Sequence, residues 1–465
     1  MSNYYVLWCL SIFYFTNLTS SYVLMTSWHP YSWKSKKVHQ PVNYKNIDLL
    51  NENENKLKKV FPLIYAGEAD KLKQEISKAQ KGEAIVLMGG DCAETFHDHD
   101  VSHYVSNFRI LLQMTLILMN NLGLPIIKIG RMAGQYAKPR SDLYEIKNDI
   151  MLPSYRGDII NEYKFDNQRE YDSNKMVEAY YKSVQTMNLI RALSQGGYAD
   201  IKRIKEWNLD FVNLENTMKY KNLSDNVKSS LNFIKASGLK DGYYFKKADF
   251  YTAHESMLLN YEAALTRKDS VSGNYYGCSA HMLWIGERTR QLHGAHIEYI
   301  RGIENPIGVK ISDKCSPEEL LNIVNIINPD NKSGKLSLII RMGKNINDKL
   351  PELIDVIQEN NKKVTWISDP MHGNTQTIDN VKTRSMDDIF LEIKSFINIL
   401  RVKNAIFGGI HLEMTGENIT ECLDFSSMKN KLNINDNYQT LCDPRMNADQ
   451  CLQLAFELSE YLMNI

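Results

Sequence analysis

The chain has 465 residues, of which 43% are hydrophobic and 24% are charged, as in an ordinary folded protein with a large core. Its 55 basic and 55 acidic residues cancel, so the bulk charge gives no reason to expect a nucleic-acid or anionic-membrane partner. Any strong electrostatic field must therefore be local.

The first 27 residues differ from the rest. Residues 4–15 form an apolar run with the length of a signal-peptide core, which is too short to span a bilayer and lacks a basic start. We expect either a targeting presequence outside the fold or a spurious gene start, and both alternatives stay open. The seven cysteines include no C-x-x-C pair, which favours a reducing compartment over secretion.

In chain order, residues 28–81 are predicted to form an entry extension, with a break at the polar run NENEN (51–55) and a helix over 72–79. Short apolar runs that end in turn residues then predict eight strands. They lie at 84–88, 126–129, 250–253, 281–285, 307–311, 336–340, 364–367 and 405–410. Eight strands separated mostly by helical stretches predict a closed barrel.

Two kinds of segment are expected outside the barrel wall. A ninth apolar run at 209–214 is assigned to an insertion around 205–245, because 224–236 has a helical pattern that the wall does not require. The Lys/Asn-rich stretches 325–335 and 429–437 are predicted to be exposed loops. Residues 28–465 are thus expected to form one α/β domain, a (β/α)8 TIM barrel with an N-terminal extension and inserted helices.

Four residues follow apolar runs at turns: Cys92, His372, Glu413 and Asp443. The carboxyl ends of barrel strands converge on one mouth, so such residues can meet there. A thiolate, an imidazole and two carboxylates suit a borderline divalent cation. Singly, each residue has an ordinary alternative, such as a buried thiol or a turn-forming Asp. His411 alternates with Glu413 and could also serve, or could orient a ligand.

A second group is basic and lies almost entirely at or after predicted strand ends. Any one of these residues is more often a solvated loop charge, but their concentration in a neutral chain favours phosphate binding. The group comprises Arg131, Lys138, Arg140, Arg288, Arg290, Lys310 and Arg341.

Long motifs surround these residues. In order they are MGGDCAETF (88–96), KIGRMAGQYAKPRS (128–141), YRGDIIN (155–161), WIGERTRQL (284–292), NPIGVKI (305–311), DPMHGNT (369–375), GGIHLEMTGENITEC (408–422) and TLCDPRMNA (440–448). This set resembles the class II, plant-type 3-deoxy-D-arabino-heptulosonate 7-phosphate (DAHP) synthases from about Trp28 to the C-terminus. Three positions depart from the usual family wording, namely His293, Ile340 and Ser368, and none is a predicted ligand.

The resemblance implies a role for each matching position. Cys92, His372, Glu413 and Asp443 would bind the metal, with Mn²⁺ expected first and Co²⁺, Fe²⁺ or Zn²⁺ as alternatives. Phosphoenolpyruvate would be held by Arg131, Glu287, Arg288, Lys310 and Arg341. Lys138, Ser141 and the neighbourhood of Arg288 would take the phosphate of erythrose 4-phosphate, and Trp284 would line the site. The residues expected to take part in catalysis are Cys92, Glu287, Lys310 and His372.

The implied reaction is an aldol-like condensation of the two substrates with water, which gives DAHP and phosphate and opens the shikimate pathway to chorismate and the aromatic amino acids. An octulosonate 8-phosphate synthase is the alternative enzyme, and a catalytically inactive relative is the alternative of another class. The resemblance further implies a homo-oligomer, with a chorismate mutase as a partner in some members. The compartment would be a plastid if the first residues are a presequence, and otherwise the cytoplasm.

Overall fold

The computed structural model describes residues 27–147, 150–164, 169–200, 214–236, 248–425 and 433–465. Several predicted segments fall wholly or partly outside these ranges. They are the presequence (1–26), the ninth apolar run (209–213), both ends of the insertion around 205–245, and the first part of the 429–437 loop (429–432). Within the described residues, no helix combines the length and the apolar character that crossing a membrane would require.

Eight parallel strands close into a barrel, and their order around it follows their order in the chain. The barrel strands are β1 (Ile85–Gly90), β2 (Ile126–Arg131), β5 (Phe250–Glu255), β8 (Met282–Ile285), β9 (Ile307–Ile311), β10 (Leu336–Ile340), β11 (Thr365–Ser368) and β14 (Phe407–Glu413). β1 pairs with β14 to close the ring, with Gly90 opposite Glu413. All eight predicted strands and the (β/α)8 TIM-barrel fold are therefore confirmed.

The remaining strands form three antiparallel hairpins: β3–β4 (Tyr144–Lys147, Ile150–Pro153), β6–β7 (Thr266–Lys268, Tyr275–Gly277) and β12–β13 (Gln376–Ile378, Val381–Thr383). β3–β4 follows β2, and β12–β13 follows β11, so these two hairpins rise from the carboxyl end of the barrel. That placement puts them beside the predicted site.

The helices are α1 (Ile47–Lys59), α2 (Ala66–Ala79), α3 (Val101–Leu122), α4 (Asn174–Gln195), α5 (Leu214–Ala236), α6 (Leu259–Ala264), α7 (Ala295–Ile300), α8 (Pro317–Ile327), α9 (Ile346–Glu359), α10 (Met386–Val402) and α11 (Ala448–Met463). Their starts follow from local sequence. Asp100 accepts from two backbone N–H groups of α3, Ser316 precedes Pro317 and caps α8, and Asn447 forms a capping box with Gln450. The predicted helices 72–79 and 224–236 lie inside α2 and α5.

The core has two main parts. One lies between the barrel wall and the surrounding helices, and the other fills the barrel interior with side chains such as Val86, Ile129 and Met282. Leu72 and Ile76 of α2 join the interior cluster. Residues of the N-terminal extension therefore pack into the core of the barrel itself.

Two predictions about polar stretches are wrong. The run NENEN lies inside α1, where Asn53 is buried and donates to Ser173 Oγ at 3.1 Å, so tertiary hydrogen bonds stabilise a helix that the composition did not indicate. Residues 325–327 complete α8, and the buried Asn328 side chain bonds the backbone of Lys332. The stretch 325–335 is thus not a simple exposed loop.

Candidate active site

A cavity of about 310 Å³ opens at the carboxyl ends of the barrel strands. The predicted site residues that line it are Arg131, Lys138, Arg140, Ser141, Trp284, Glu287, Arg288, Lys310, Arg341, His372 and Asp443. Arg290, predicted with the basic group, is not among them, because its guanidinium is buried against Glu287 and Glu319. Cys92 and Glu413 lie at its floor and are 1% and 0% exposed. The structure therefore brings the predicted residues together in one place.

The proposed metal ligands converge at the floor of this cavity. Ligand atoms of Cys92, Glu413 and Asp443 all lie within 4.8 Å of one another. The fourth predicted ligand, His372, is not part of this group of three but lies next to it, with its Nε2 3.1 Å from Oε1 of Glu413. Cys92 follows β1, Glu413 ends β14, and His372 lies in the turn after β11.

Asp443 reaches this cluster by a different route from the one expected. It was predicted at the end of an apolar β-like run, but residues 440–446 lie in the connection between β14 and α11, and no barrel strand directly precedes Asp443. Backbone bonds between Met446 and Glu413 and between Thr415 and Met446 tie that connection to the end of β14. This pairing turns the Asp443 carboxylate toward Cys92.

A positive charge lies among the ligands. Nζ of Lys138 is 2.6 Å from Cys92 Sγ, 3.3 Å from Glu413 Oε1 and 3.0 Å from Asp443 Oδ2. The cluster thus surrounds a cation with one sulfur and two carboxylate oxygens. This arrangement fits a divalent metal, for which the Lys138 ammonium stands in, because these are donor atoms that Mn²⁺, Fe²⁺, Co²⁺ and Zn²⁺ accept.

The local charges keep the carboxylates ionised. Burial opposes the charge on Glu413, but His372, Lys138 and Arg384 outweigh it and hold the pKa of Glu413 well below its usual range. The pKa of Asp443 is also lowered, since Lys138 and Arg384 overcome its burial. Burial raises the pKa of the Cys92 thiol, and the hydrogen bond with Cys442 adds to this effect. A cation at Cys92 must therefore compete with a proton.

Asp369 connects the metal cluster to the substrate cavity, and the sequence reasoning missed it. Its carboxylate accepts from His372 Nδ1 at 2.8 Å and from Nζ of Lys310. A carboxylate behind a ligating imidazole fixes which ring nitrogen faces the metal. The signal was present in the motif DPMHGN, where Asp369 stands three residues before His372.

Arg131 is buried more deeply than contact with a substrate would require. It is 1% exposed and donates to Glu413 Oε1 at 3.0 Å, to the Asp91 carbonyl at 2.9 Å and to Nε2 of His411. His411 must accept at Nε2, which agrees with the lowering of its pKa by burial and by the cations Lys310 and Arg131. His411 thus contacts Arg131, which in turn donates to Glu413. These hydrogen bonds are the path by which His411 would play its predicted role of orienting a ligand.

Glu287 is held by neighbouring groups, although it lines the cavity. It accepts from Ser312 N at 3.0 Å, Ser312 Oγ at 2.7 Å and Arg290 Nη2 at 2.9 Å. These bonds fix the start of the β9–α8 loop against the turn after β8. Glu287 therefore holds these two segments together next to Arg288. Its catalytic role stays a prediction.

The cationic side chains that line the cavity lie at two different depths. Lys310 is buried at the inner end of the cavity, where its Nζ lies 5.9 Å from the Trp284 ring centroid. Arg288 is exposed at the rim and donates to Ser141 Oγ at 2.8 Å. The cavity therefore offers an inner and an outer position for anions.

Two further residues were not predicted. Glu255 ends β5 and lines the cavity, its Oε1 is buried without a hydrogen-bond partner, and burial raises its pKa. A Cβ at Gly286 would meet Oε1 of Glu255 at 2.1 Å, so this carboxylate requires the glycine of WIGER. Arg384 is fully buried and donates to Glu413 Oε2 at 2.7 Å. No motif marked either residue, since their neighbours come from distant parts of the chain.

Known proteins resemble this chain over nearly its whole length. Residues 28–459 match the Class-II DAHP synthetase family. A protein named phospho-2-dehydro-3-deoxyheptonate aldolase from Streptomyces coelicolor is 40% identical over 433 residues, which are 92% of this chain and 96% of that protein. Another of the same name from Neurospora crassa is 38% identical over 453 residues, 93% of this chain and 94% of that protein. The chain therefore belongs to the class-II DAHP synthetase family.

Proposed function

We propose that this enzyme condenses phosphoenolpyruvate with D-erythrose 4-phosphate and water to give DAHP and inorganic phosphate, with a divalent metal as cofactor. The observation that carries the proposal is one cavity in which the converging side chains of Cys92, Glu413 and Asp443, with His372 beside Glu413, adjoin inner and outer cationic groups. Family membership and the names of the relatives support the same reaction, the first of the shikimate pathway.

The inner group suits phosphoenolpyruvate. Lys310, Arg341 and the buried Arg131 all line the cavity. Planar guanidinium groups bind phosphate and carboxylate through paired hydrogen bonds, while an ammonium provides a compact charge. Fixing both anionic ends of the small molecule would present the C3 carbon of its enol to the rest of the cavity.

The outer group suits the phosphate of the second substrate. Ser141 and Arg288 face each other at the rim, with Arg140 nearby on the same lining. A sugar phosphate anchored there would extend its aldehyde inward toward Asp443 and the cluster. Because the enol and the aldehyde would lie in one enclosed space, the condensation would need little reorganisation.

Cys92, His372, Glu413 and Asp443 would hold the metal, for which we propose Mn²⁺. When bound, a divalent cation supplies Lewis-acid polarisation of an aldehyde oxygen. The protein contributes the orientation: Asp369 directs His372, and Arg384 and Arg131 direct Glu413. Lys138, which lines the cavity, would offer its ammonium to an anion there.

Protons must move in the reaction, and two residues are suited to hold them. C3 of the enol forms a bond with the aldehyde carbon, whose oxygen takes a proton, while water adds at C2 and loses a proton. The C2–O bond to phosphate then breaks, the C2 hydroxyl becomes the ketone of DAHP, and its proton leaves with the phosphate. Burial lowers the pKa of Lys310 to about 8, so this side chain can exchange a proton near neutral pH. Burial raises the pKa of Glu255, which favours its protonated form.

The direct test measures phosphate release from phosphoenolpyruvate with each of two aldehydes. We expect release with erythrose 4-phosphate, its loss with EDTA and its return with Mn²⁺. Arabinose 5-phosphate should give little phosphate release. Preference for this aldehyde would instead indicate the alternative enzyme, an octulosonate 8-phosphate synthase. Absence of release with either aldehyde, in protein loaded with Mn²⁺, would contradict the proposal.

A further inference from the structure

Glu392 is a buried carboxylate that the proposed reaction does not use. It lies on α10 behind the cavity and is 3% exposed. Its Oε1 accepts from the backbone N–H groups of Met342 and Gly343, both at 2.9 Å, and its Oε2 accepts from Asn374 Nδ2 at 2.7 Å. All three donors are neutral.

These donors belong to the two loops that carry the chemistry. Met342 and Gly343 directly follow Arg341, and Asn374 lies two residues after His372. Glu392 therefore contacts the end of the anion-binding loop with one oxygen and the metal-ligating loop with the other.

The two loops also contact each other closely. Arg341 donates to the His372 carbonyl at 3.0 Å. Gly343 has φ +55°, and a Cβ there would lie 2.5 Å from the Gly373 carbonyl oxygen. Because the backbones touch, a small shift of one loop must displace the other.

The position of Glu392 has an energetic cost. A buried carboxylate held only by neutral donors loses hydration without gaining an ion pair, and its burial raises the pKa of Glu392 to about 7. A residue that served packing alone would avoid this cost by being apolar. The hydrogen bonds indicate what the carboxylate contributes that an apolar residue could not, since this one group joins donors from two loops.

We propose that Glu392 is a positioning residue that sets Arg341 against His372 and so couples the anion-binding loop to the metal-ligating loop. The proposal rests on the proposed function for the identity of the anion and the metal. Glu392 touches neither, so its effect must pass through the two loops.

The first experiment replaces Glu392 by Ala. We expect the KM for phosphoenolpyruvate to rise and the affinity for Mn²⁺, measured by electron paramagnetic resonance, to fall, each by about 10- to 100-fold, the usual loss when a group behind a ligand is removed. The KM for erythrose 4-phosphate should stay within about twofold, because Ser141 and Arg288 lie on other loops. A purely structural role would lower the melting temperature without this split.

Two further variants separate the halves of the contact. Glu392→Gln keeps one oxygen for Met342 and Gly343 but turns an NH₂ group toward Asn374, so Mn²⁺ affinity should fall while phosphoenolpyruvate binding is kept. Asn374→Ala should give the same pattern. These two also decide the question if Glu392→Ala does not fold.

Glu54→Gln is the control, because Glu54 is a 2% exposed carboxylate on α1 that accepts from Asn260 at 2.6 Å and pairs with Lys34 at 3.3 Å, away from the cavity. The proposal is overturned if folded Glu392→Ala keeps both affinities within about twofold of wild type, if Glu392→Gln and Asn374→Ala both keep wild-type Mn²⁺ affinity, or if Glu54→Gln shows the same losses. If wild-type protein releases no phosphate, the proposed reaction fails, whereas the Mn²⁺ measurements, with calorimetric titration of phosphoenolpyruvate, still decide the role of Glu392.

Discussion

Nζ of Lys138 lies 2.6 Å from Sγ of Cys92, inside the cluster of proposed metal ligands. A divalent cation held by the same donor atoms would be repelled by this ammonium. The side chain is almost fully buried and its charge is little screened. This competition makes a prediction that differs from the usual effect of removing a site residue.

Lys138→Met should bind Mn²⁺ more tightly than wild type, by roughly tenfold or about 1.4 kcal/mol, although its turnover should fall. Calorimetric titration of metal-free protein would measure this. Lys382→Met is the control, because Lys382 lies 3.0 Å from Asp443 but is 47% exposed, so solvent already weakens its effect. Weaker Mn²⁺ binding by Lys138→Met would contradict the stand-in interpretation.

Removal of a ligand should have the opposite effect. Cys92→Ala should lose Mn²⁺ affinity and reduce phosphate release by about two orders of magnitude or more, since a ligand both binds and places the cation. Cys451→Ala removes an equally buried thiol in α11 and should leave both properties unchanged. Full activity of Cys92→Ala in buffer containing EDTA would exclude the assigned site.

Arg341→Lys tests anion recognition, because it keeps the charge and loses the planar fork. We expect kcat/KM for phosphoenolpyruvate to fall about 10- to 100-fold, the equivalent of one charge-assisted hydrogen bond at about 1.5–3 kcal/mol. Arg401→Lys, an exposed arginine in the last turn of α10, should behave as wild type. Equal kinetics for both variants would show that Arg341 is an ordinary loop charge.

The barrel was predictable because its strands are largely buried on both faces and appear in the sequence as short, mainly apolar runs. Such runs mark β1 and β9 without any knowledge of their neighbours. The run NENEN misled, because its helix depends on bonds from Asn53 to a residue 120 positions away. Local composition cannot reveal such partners.

The site was predictable only where a motif marked it. Cys92 and His372 stand in long, ordered motifs, whereas Glu255 and Glu392 are isolated carboxylates that are distinguished by groups far from them in the sequence. The location of Asp443 on a connection after β14, rather than after a strand of its own, depends on backbone pairing that follows no sequence period. The roles of these residues depend on the groups that surround them in the fold, which their residue types alone do not reveal.

Lys310 predicts a pH dependence. Burial lowers its pKa to about 8, although Asp369 opposes the shift, so the side chain is charged below about pH 8 and neutral above it. The KM for phosphoenolpyruvate should therefore rise above pH 8, by up to about tenfold per pH unit. Lys310→Arg should lack this rise, because a guanidinium stays charged. A rise of equal size in both proteins would assign the effect to another group.

The last prediction concerns two thiols. Cys92 and Cys442 lie together in a small buried cluster that includes Tyr155. In metal-free enzyme, hydrogen peroxide should oxidise both thiols to a disulfide, releasing two protons and two electrons and forming two waters. Bound Mn²⁺ should protect Cys92 by occupying its sulfur. Activity should return after treatment with dithiothreitol and Mn²⁺, and Cys442→Ser should lack both the cross-link and this reversible loss.

Mass spectrometry of peptides from oxidised protein detects the cross-link directly. A Cys92 sulfenic or sulfinic acid in place of the Cys92–Cys442 bond would show that the backbone holds the two sulfurs in contact but does not let them join.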